Sequence, residues 1–135
     1  MKIKLWLKRI GVAFCVTLAL TAGVASPAFA ANTNVDVEYG DHIRGSMTHI
    51  DDGDTFRVTD WYADGHGIKG CLDIQHPVNQ LWTEIECKYN NVGAGNYVSF
   101  GEDVISLYTY RMRVYVQDGA NDSTPIAYRW KEFSE

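Results

Sequence analysis

From residue 33 to residue 132, polar and apolar side chains alternate in short runs broken by glycine, asparagine and aspartate. No stretch keeps the 3.6-residue spacing of an amphipathic helix; the period is two, the period of a half-buried strand. The pattern predicts strands near 33–39, 43–50, 55–62, 67–75, 81–89, 96–100, 104–109, 110–117 and 125–132, some of which merge. Turns fall between them at Tyr39-Gly40-Asp41, Asp51 to Asp54, Asp64 to Gly67, His76 to Asn79, Asn90 to Gly95, Gly101 to Asp103 and Asp118 to Asp122. Glycine supplies positive φ at such places, and asparagine and aspartate tolerate it. Regular short strands with frequent turns predict a single-domain antiparallel β-sandwich of about seven to eight strands.

The clearest alternation is Tyr110 to Gln117, with Met112, Val114 and Val116 on one face and Arg111, Arg113 and Tyr115 on the other. Pro125 to Lys131 places Ile126, Tyr128 and Trp130 opposite Ala127, Arg129 and Lys131. Matching apolar to apolar sets Val114 against Tyr128 and Met112 against Trp130, with Arg113 facing Arg129 and Arg111 facing Lys131. Arg111, Arg113, Arg129 and Lys131 then share one face. Like charges opposite each other are destabilising unless something negative lies between them. A third strand could supply carboxylates. An outside anion or acidic partner could do the same, which makes this face a candidate partner site.

Residues 1–30 read as a secretory signal peptide. Lys2, Lys4, Lys8 and Arg9 precede an apolar stretch from Gly11 to Ala22, and Pro27 and Ala28-Phe29-Ala30 supply a cleavage pattern. The apolar stretch is short of the ~20 residues a membrane-spanning helix needs. Cys15 lies within it but follows no lipobox, and residues 131–135 carry no apolar tail, so the chain after cleavage is expected to be soluble, extracellular and not membrane-embedded. Cleavage before Ala31 leaves 8 Lys+Arg against 17 Asp+Glu, a formal charge of −9. A domain this acidic is not expected to bind nucleic acid through its net field.

Two cysteines remain, Cys71 and Cys87, and in an oxidising compartment they are expected to form one disulfide. Strict alternation puts Ile68, Gly70, Leu72 and Ile74 in the core with Cys71 outside, but puts Cys87 in the core with Leu81, Thr83, Ile85 and Tyr89. Half-cystines on opposite faces of one sheet cannot bond. Either a bulge near Gly70 turns Cys71 inward, or the two strands belong to different sheets.

The segment Tyr115 to Asp122, the terminal strand with Trp130-Lys131, and the strand and turn from Thr55 through Asp60 to Asp64-Gly65 resemble small secreted actinobacterial β-sandwich proteins of unassigned function. The resemblance implies a fold and a compartment; it carries over no functional residue.

Chemistry-bearing residues are scattered. Ser46, Ser99, Ser106, Ser123 and Ser134 lack an activating context such as Gly-x-Ser-x-Gly. His42, His49, His66 and His76 occur singly, without His-x-His or His-Glu-x-x-His spacing, so no metal is expected. Asp51, Asp52 and Asp54 precede one strand and Asp60 and Asp64 follow it, a clustering that calcium favours and that tight turns also explain. Glu84, Glu86, Glu102 and Asp103 could be paired for glycoside hydrolysis, but Glu84 and Glu86 read as a solvated face. Trp61, Tyr62 and Trp82 are candidate contact aromatics. No catalytic residue and no cofactor are expected. The expected function is that of a secreted, non-enzymatic binding protein whose partner is an extracellular protein or a cell-surface glycan. The alternatives are an inhibitor of a secreted hydrolase, presenting Asn90 to Asn96 or Asp118 to Thr124, and a small carbohydrate-binding module.

Overall fold

Eight strands form where the alternation places them, and each is set off by a turn or loop. A computed structural model describes residues 31–135; the expected signal peptide, 1–30, lies outside the described residues. In order the strands are β1 (Thr33–Tyr39), β2 (His42–Ile50), β3 (Thr55–Asp60), β4 (Gly67–Gln75), β5 (Trp82–Asn90), β6 (Tyr97–Gly101), β7 (Thr109–Gln117) and β8 (Ala127–Phe133). They build two four-stranded sheets, β1-β2-β3-β6 and β5-β4-β7-β8, with every pairing antiparallel. The fold is the expected β-sandwich. No helix among the described residues is long and apolar enough to cross a membrane.

The core lies between the sheets. Val35, Val37, Met47, Phe56 and Val58 come from the first sheet; Ile68, Leu72, Met112, Val114 and Val116 come from the second, and all are buried. Each buried aliphatic or aromatic side chain contributes about 1.5–3 kcal/mol relative to an exposed one. Two glycines let the layers meet. A methyl group at Gly45 would overlap Ile68, and one at Gly70 would overlap Val58 and crowd Met47.

The segment expected as a strand at 104–109 is not one. Val104 packs into the core and its N–H donates to Asp54 Oδ2 at 3.0 Å. Ile105 and Leu107 are exposed, and a turn closes from Tyr108 N–H to the Ile105 carbonyl.

Cys71 and Cys87 face each other directly on β4 and β5 and are bonded. The bulge is not at Gly70, where β4 keeps uninterrupted register with β7. It sits on β5: Leu72 pairs with Glu86 and Asp73 with Glu84, leaving Ile85 as the extra residue. That insertion resets the alternation. Trp82 and Glu84 before it, and Cys87 and Tyr89 after it, then share the outer face with Cys71. Cys87 is therefore not a core residue, and the two strands are neighbours in one sheet. Glu84 and Glu86 are split onto opposite faces, so they are not a carboxylate pair. Glu86 instead pairs with Lys88 at 3.0 Å along the sheet's edge.

The last hairpin is one residue out of the expected register. Arg113 faces Trp130, Arg111 faces Glu132, Val114 faces Arg129 and Met112 faces Lys131. Arg111 and Arg113 are on the outer face, Arg129 and Lys131 on the inner side, so the four cations do not share a face. Matching by hydrophobicity fails because β8 is an edge strand. Only Ala127 and Phe133 on its inner side pack against the core. Lys131 reaches over the rim, its Nζ donating to the Asn34 carbonyl at 3.4 Å, while Arg129 Nη1 donates to the Tyr128 carbonyl at 3.0 Å. Inward-pointing charge of this kind discourages an edge strand from pairing with another chain.

Candidate functional site: the outer face of the second sheet

Odd-numbered positions of β4 and β7 and even-numbered positions of β8 project from the second sheet on the side away from the core. The register stacks them in rows: Asp73 with Glu84, Arg111 and Glu132; Cys71 with Cys87, Arg113 and Trp130; Lys69 with Tyr89, Tyr115 and Tyr128.

Asp73 is the centre of this face. It interrupts the apolar run of β4 and is only 1% exposed. Its Oδ2 accepts from Arg111 Nε at 2.9 Å and Nη2 at 2.7 Å, a bidentate grip on one oxygen. Its Oδ1 accepts from Arg113 Nη2 at 2.6 Å, and the same nitrogen donates to Glu84 Oε2 at 2.8 Å. Burial works against the Arg113 charge, but Asp73 and Glu84 more than compensate and hold the guanidinium charged beyond its ordinary range. Arg113 Nε is buried and has no hydrogen-bond partner. The carboxylates that balance Arg111 and Arg113 therefore come from within, from β4 and β5.

Aromatic rings flank this network. Arg111 lies over the Trp82 ring, 4.2 Å from its centroid, a cation–π contact. Arg113 Nη1 donates to the Tyr115 hydroxyl at 2.5 Å. Tyr115 stacks on Tyr128 with ring centroids 5.9 Å apart. Tyr128 and Trp130 remain 53% and 52% exposed, two residues apart on the same face of β8. Beside them a shallow cavity of about 300 Å³ opens beneath the β7–β8 loop, lined by Lys69, Glu84, Arg113, Tyr115, Gln117 and Pro125.

The other aromatic candidates do not join this surface. Trp61 follows β3 in the first sheet, and its Nε1 donates to Ser46 Oγ at 3.1 Å. Tyr62 carries Arg44 over its ring at 4.4 Å and stacks with His42 at 5.0 Å. Trp82 thus belongs to a different face from Trp61 and Tyr62.

The acidic turns divide between the two ends of β3. At one end His49, Asp51, Asp54 and Glu135 bring ligand atoms within 4.8 Å of one another, a set that could hold a divalent cation. Hydrogen bonds already link them. Buried His49 shares a bond of 3.1 Å with Asp54, whose carboxyl burial pushes up but the Val104 N–H and His49 hold below its usual value. The Glu135 carboxyl is pushed up to about 7, chiefly by its hydrogen bond with Asp51, then by burial and by the charge of Asp54. A second cluster, Cys71, Cys87 and Glu84, offers no thiolate because both sulfurs are in the disulfide. At the other end of β3, Arg44 pairs with Asp64 at 2.9 Å, and His66 Nδ1 meets Asp118 Oδ1 at 2.5 Å.

Reasoning from sequence missed Asp73, Tyr128 and Trp130. Asp73 carried a signal: a lone carboxylate in an apolar run, two positions from Cys71 and so on the same side. Tyr128 and Trp130 carried none, since half-exposed aromatics on an edge strand alternate just as core aromatics do. No family model, curated protein or solved structure matches the chain.

Proposed function

We propose that the protein is an exported, non-catalytic binding protein that engages an extracellular protein through the outer face of the β5-β4-β7-β8 sheet. The observation that carries this reading is the pair of half-exposed rings, Tyr128 and Trp130, standing on a base stiffened by the Asp73 network and the disulfide. Tryptophan, tyrosine and arginine dominate the energetics of protein interfaces, and the two aromatics bury much area for little loss of freedom. A rigid base lowers the ordering cost of association. The surface mixes charge of both signs around the aromatics, which suits a protein surface. The disulfide fits an oxidising, non-cytoplasmic compartment, in keeping with export.

The test compares wild type with the Tyr128→Ala/Trp130→Ala variant as bait for culture supernatant and for cell-wall fractions. The rings are half in solvent, so the variant should keep its melting temperature within a few degrees. It should lose the proteins that wild type retains. Equal capture by both baits would overturn the reading, and loss of polysaccharide rather than protein would replace the protein partner with a glycan.

An inhibitor reading has one observation in its favour. The loop after β5 is pinned from below by fully buried Asn90, whose Nδ2 donates to the carbonyls of Val58 at 3.0 Å and Asn96 at 2.8 Å. Its Oδ1 accepts from Val92 N–H at 3.1 Å, while the Val92 side chain is exposed. Stoichiometric inhibition of a secreted protease that Val92→Asp abolishes would favour this reading; no inhibition across a panel of such proteases would remove it.

A further inference from the structure

We infer that the cavity at the β3–β4 end of the sandwich binds an organic cation, a primary ammonium or guanidinium group, through the carboxylate of Asp60. The site is separate from the aromatic face described above. The cavity measures about 250 Å³ and is bounded by the β3–β4 loop and the β5–β6 loop, with Asp60, Tyr62, His66, Tyr89, Asn91 and Gly93 among its walls.

Asp60 does not belong to a solvated turn. On β3 the alternation that buries Phe56 and Val58 carries on to Asp60, which lies 5% exposed at the mouth of the core. An ionised carboxylate in that position is costly unless a cation or several donors meet it. It accepts one N–H, from Tyr62 at 3.0 Å. No basic side chain pairs with it among the described residues. Arg44 is committed to Asp64 at 2.9 Å, and Lys69 donates to the Ala120 carbonyl at 3.1 Å. The backbone that carries the carboxylate is fixed from behind: Asp60 N–H donates to the Asn96 carbonyl, and the Asp60 backbone carbonyl accepts from Gly95 N–H.

The surroundings deepen the negative field. Burial first, and then the charge of Asp64, push the Asp60 carboxyl above its ordinary value. Burial and the charges of Asp118, Asp60 and Asp122 likewise raise the Tyr89 hydroxyl. Arg44 offsets Asp64 and His66 meets Asp118, so the carboxylate of this cavity that is buried without a counter-charge is Asp60. An ammonium or guanidinium group entering the cavity would supply that charge, and its stem would lie against Tyr89. The chemistry is shared by a free amine and by a lysine or arginine side chain of a peptide.

The test is an NMR titration of the ¹⁵N-labelled chain with arginine amide, with citrulline amide as its uncharged analogue, with n-butylammonium, and with a capped Gly-Lys-Gly peptide. Millimolar arginine amide or n-butylammonium should shift the amides of Tyr62, His66 and Gly93, and citrulline amide should not. Shifts from the capped peptide as well identify a basic side chain as the source. Shifts from free amines alone identify a small molecule. Asp60→Asn should weaken the response at least about tenfold, the expected result of deleting one partner of a buried charge pair. That variant removes an uncompensated charge and should fold at least as well as wild type, so its loss of binding is not a loss of structure. Asp36→Asn, exposed on β1, should bind as wild type does. No shift with any cation, equal shifts with citrulline amide, or unchanged binding by Asp60→Asn would each overturn the inference.

Discussion

Replacing Asp73 by asparagine removes one negative charge and keeps the shape. Three hydrogen bonds from two guanidinium groups converge on this carboxylate, at 2.6–2.9 Å. Deleting one partner of a buried pair costs about 3–5 kcal/mol, since the remaining charge is left buried and unpaired. Here the cost is smaller. The Arg111 and Arg113 side chains keep 23% exposure, and Arg113 retains Glu84. The expected loss is about 2–3 kcal/mol, or about 10–20 °C at about 4–8 °C per kcal/mol for a domain of this size. Glu84 is 57% exposed, so Glu84→Gln should stay within the roughly 0–1 kcal/mol of a surface pair. Urea unfolding followed by circular dichroism measures both, and an unchanged denaturant slope confirms that the same transition is compared. A loss below about 0.5 kcal/mol for Asp73→Asn would refute the claim that this carboxylate organises the outer face.

Gly70→Ala should destabilise by about 1–3 kcal/mol, because the added methyl overlaps Val58 across the layers; thermal unfolding checks it. Reducing the Cys71–Cys87 bond, at a sequence separation of 16, should cost about 3 kcal/mol through loop-closure entropy and lower the melting temperature by about 10 °C or more. The carboxylates at the two ends of β3 should respond to pH in opposite senses. Asp60, raised in the fold, contributes stability at low pH that is lost as pH climbs through its folded value, whereas Asp54, lowered in the fold, contributes stability above the unfolded value that is lost on acidification. Stability measured from acid to neutral pH should therefore show Asp60→Asn gaining on wild type as pH rises and Asp54→Asn falling behind it.

The fold was legible because the period-two alternation and the turn residues are strong local signals that agree with each other. The disulfide was legible from the count of two cysteines and the oxidising compartment that the expected signal peptide implied. Faces were less so. One extra residue at Ile85 reversed the assignment of everything before or after it on β5, and no local feature marks Ile85 as a bulge. On β8 the registry failed because the alternation of Tyr128 and Trp130 with Arg129 and Lys131 fits either orientation. Only the position of β8 at the sheet's edge decides it, and strand order is a property of the whole chain. The basic cluster was half right for a related reason. Arg111 and Arg113 do share a face and do need carboxylates, yet Asp73 supplies them from β4, a strand about forty residues away in sequence. Asp60 appeared as a turn residue; the continuation of the Phe56 and Val58 parity was the available signal that it closes the core.

Site-specific photocrosslinking tests the central claim most directly. A photoreactive phenylalanine analogue is placed at Tyr128, on the outer face of the second sheet, or at Arg57, which is exposed on the first sheet. Each protein is then irradiated in culture supernatant. A discrete protein adduct should form from position 128, and none of the same mass from position 57. An adduct formed from position 57 alone would place the partner on the opposite side of the sandwich and contradict that claim.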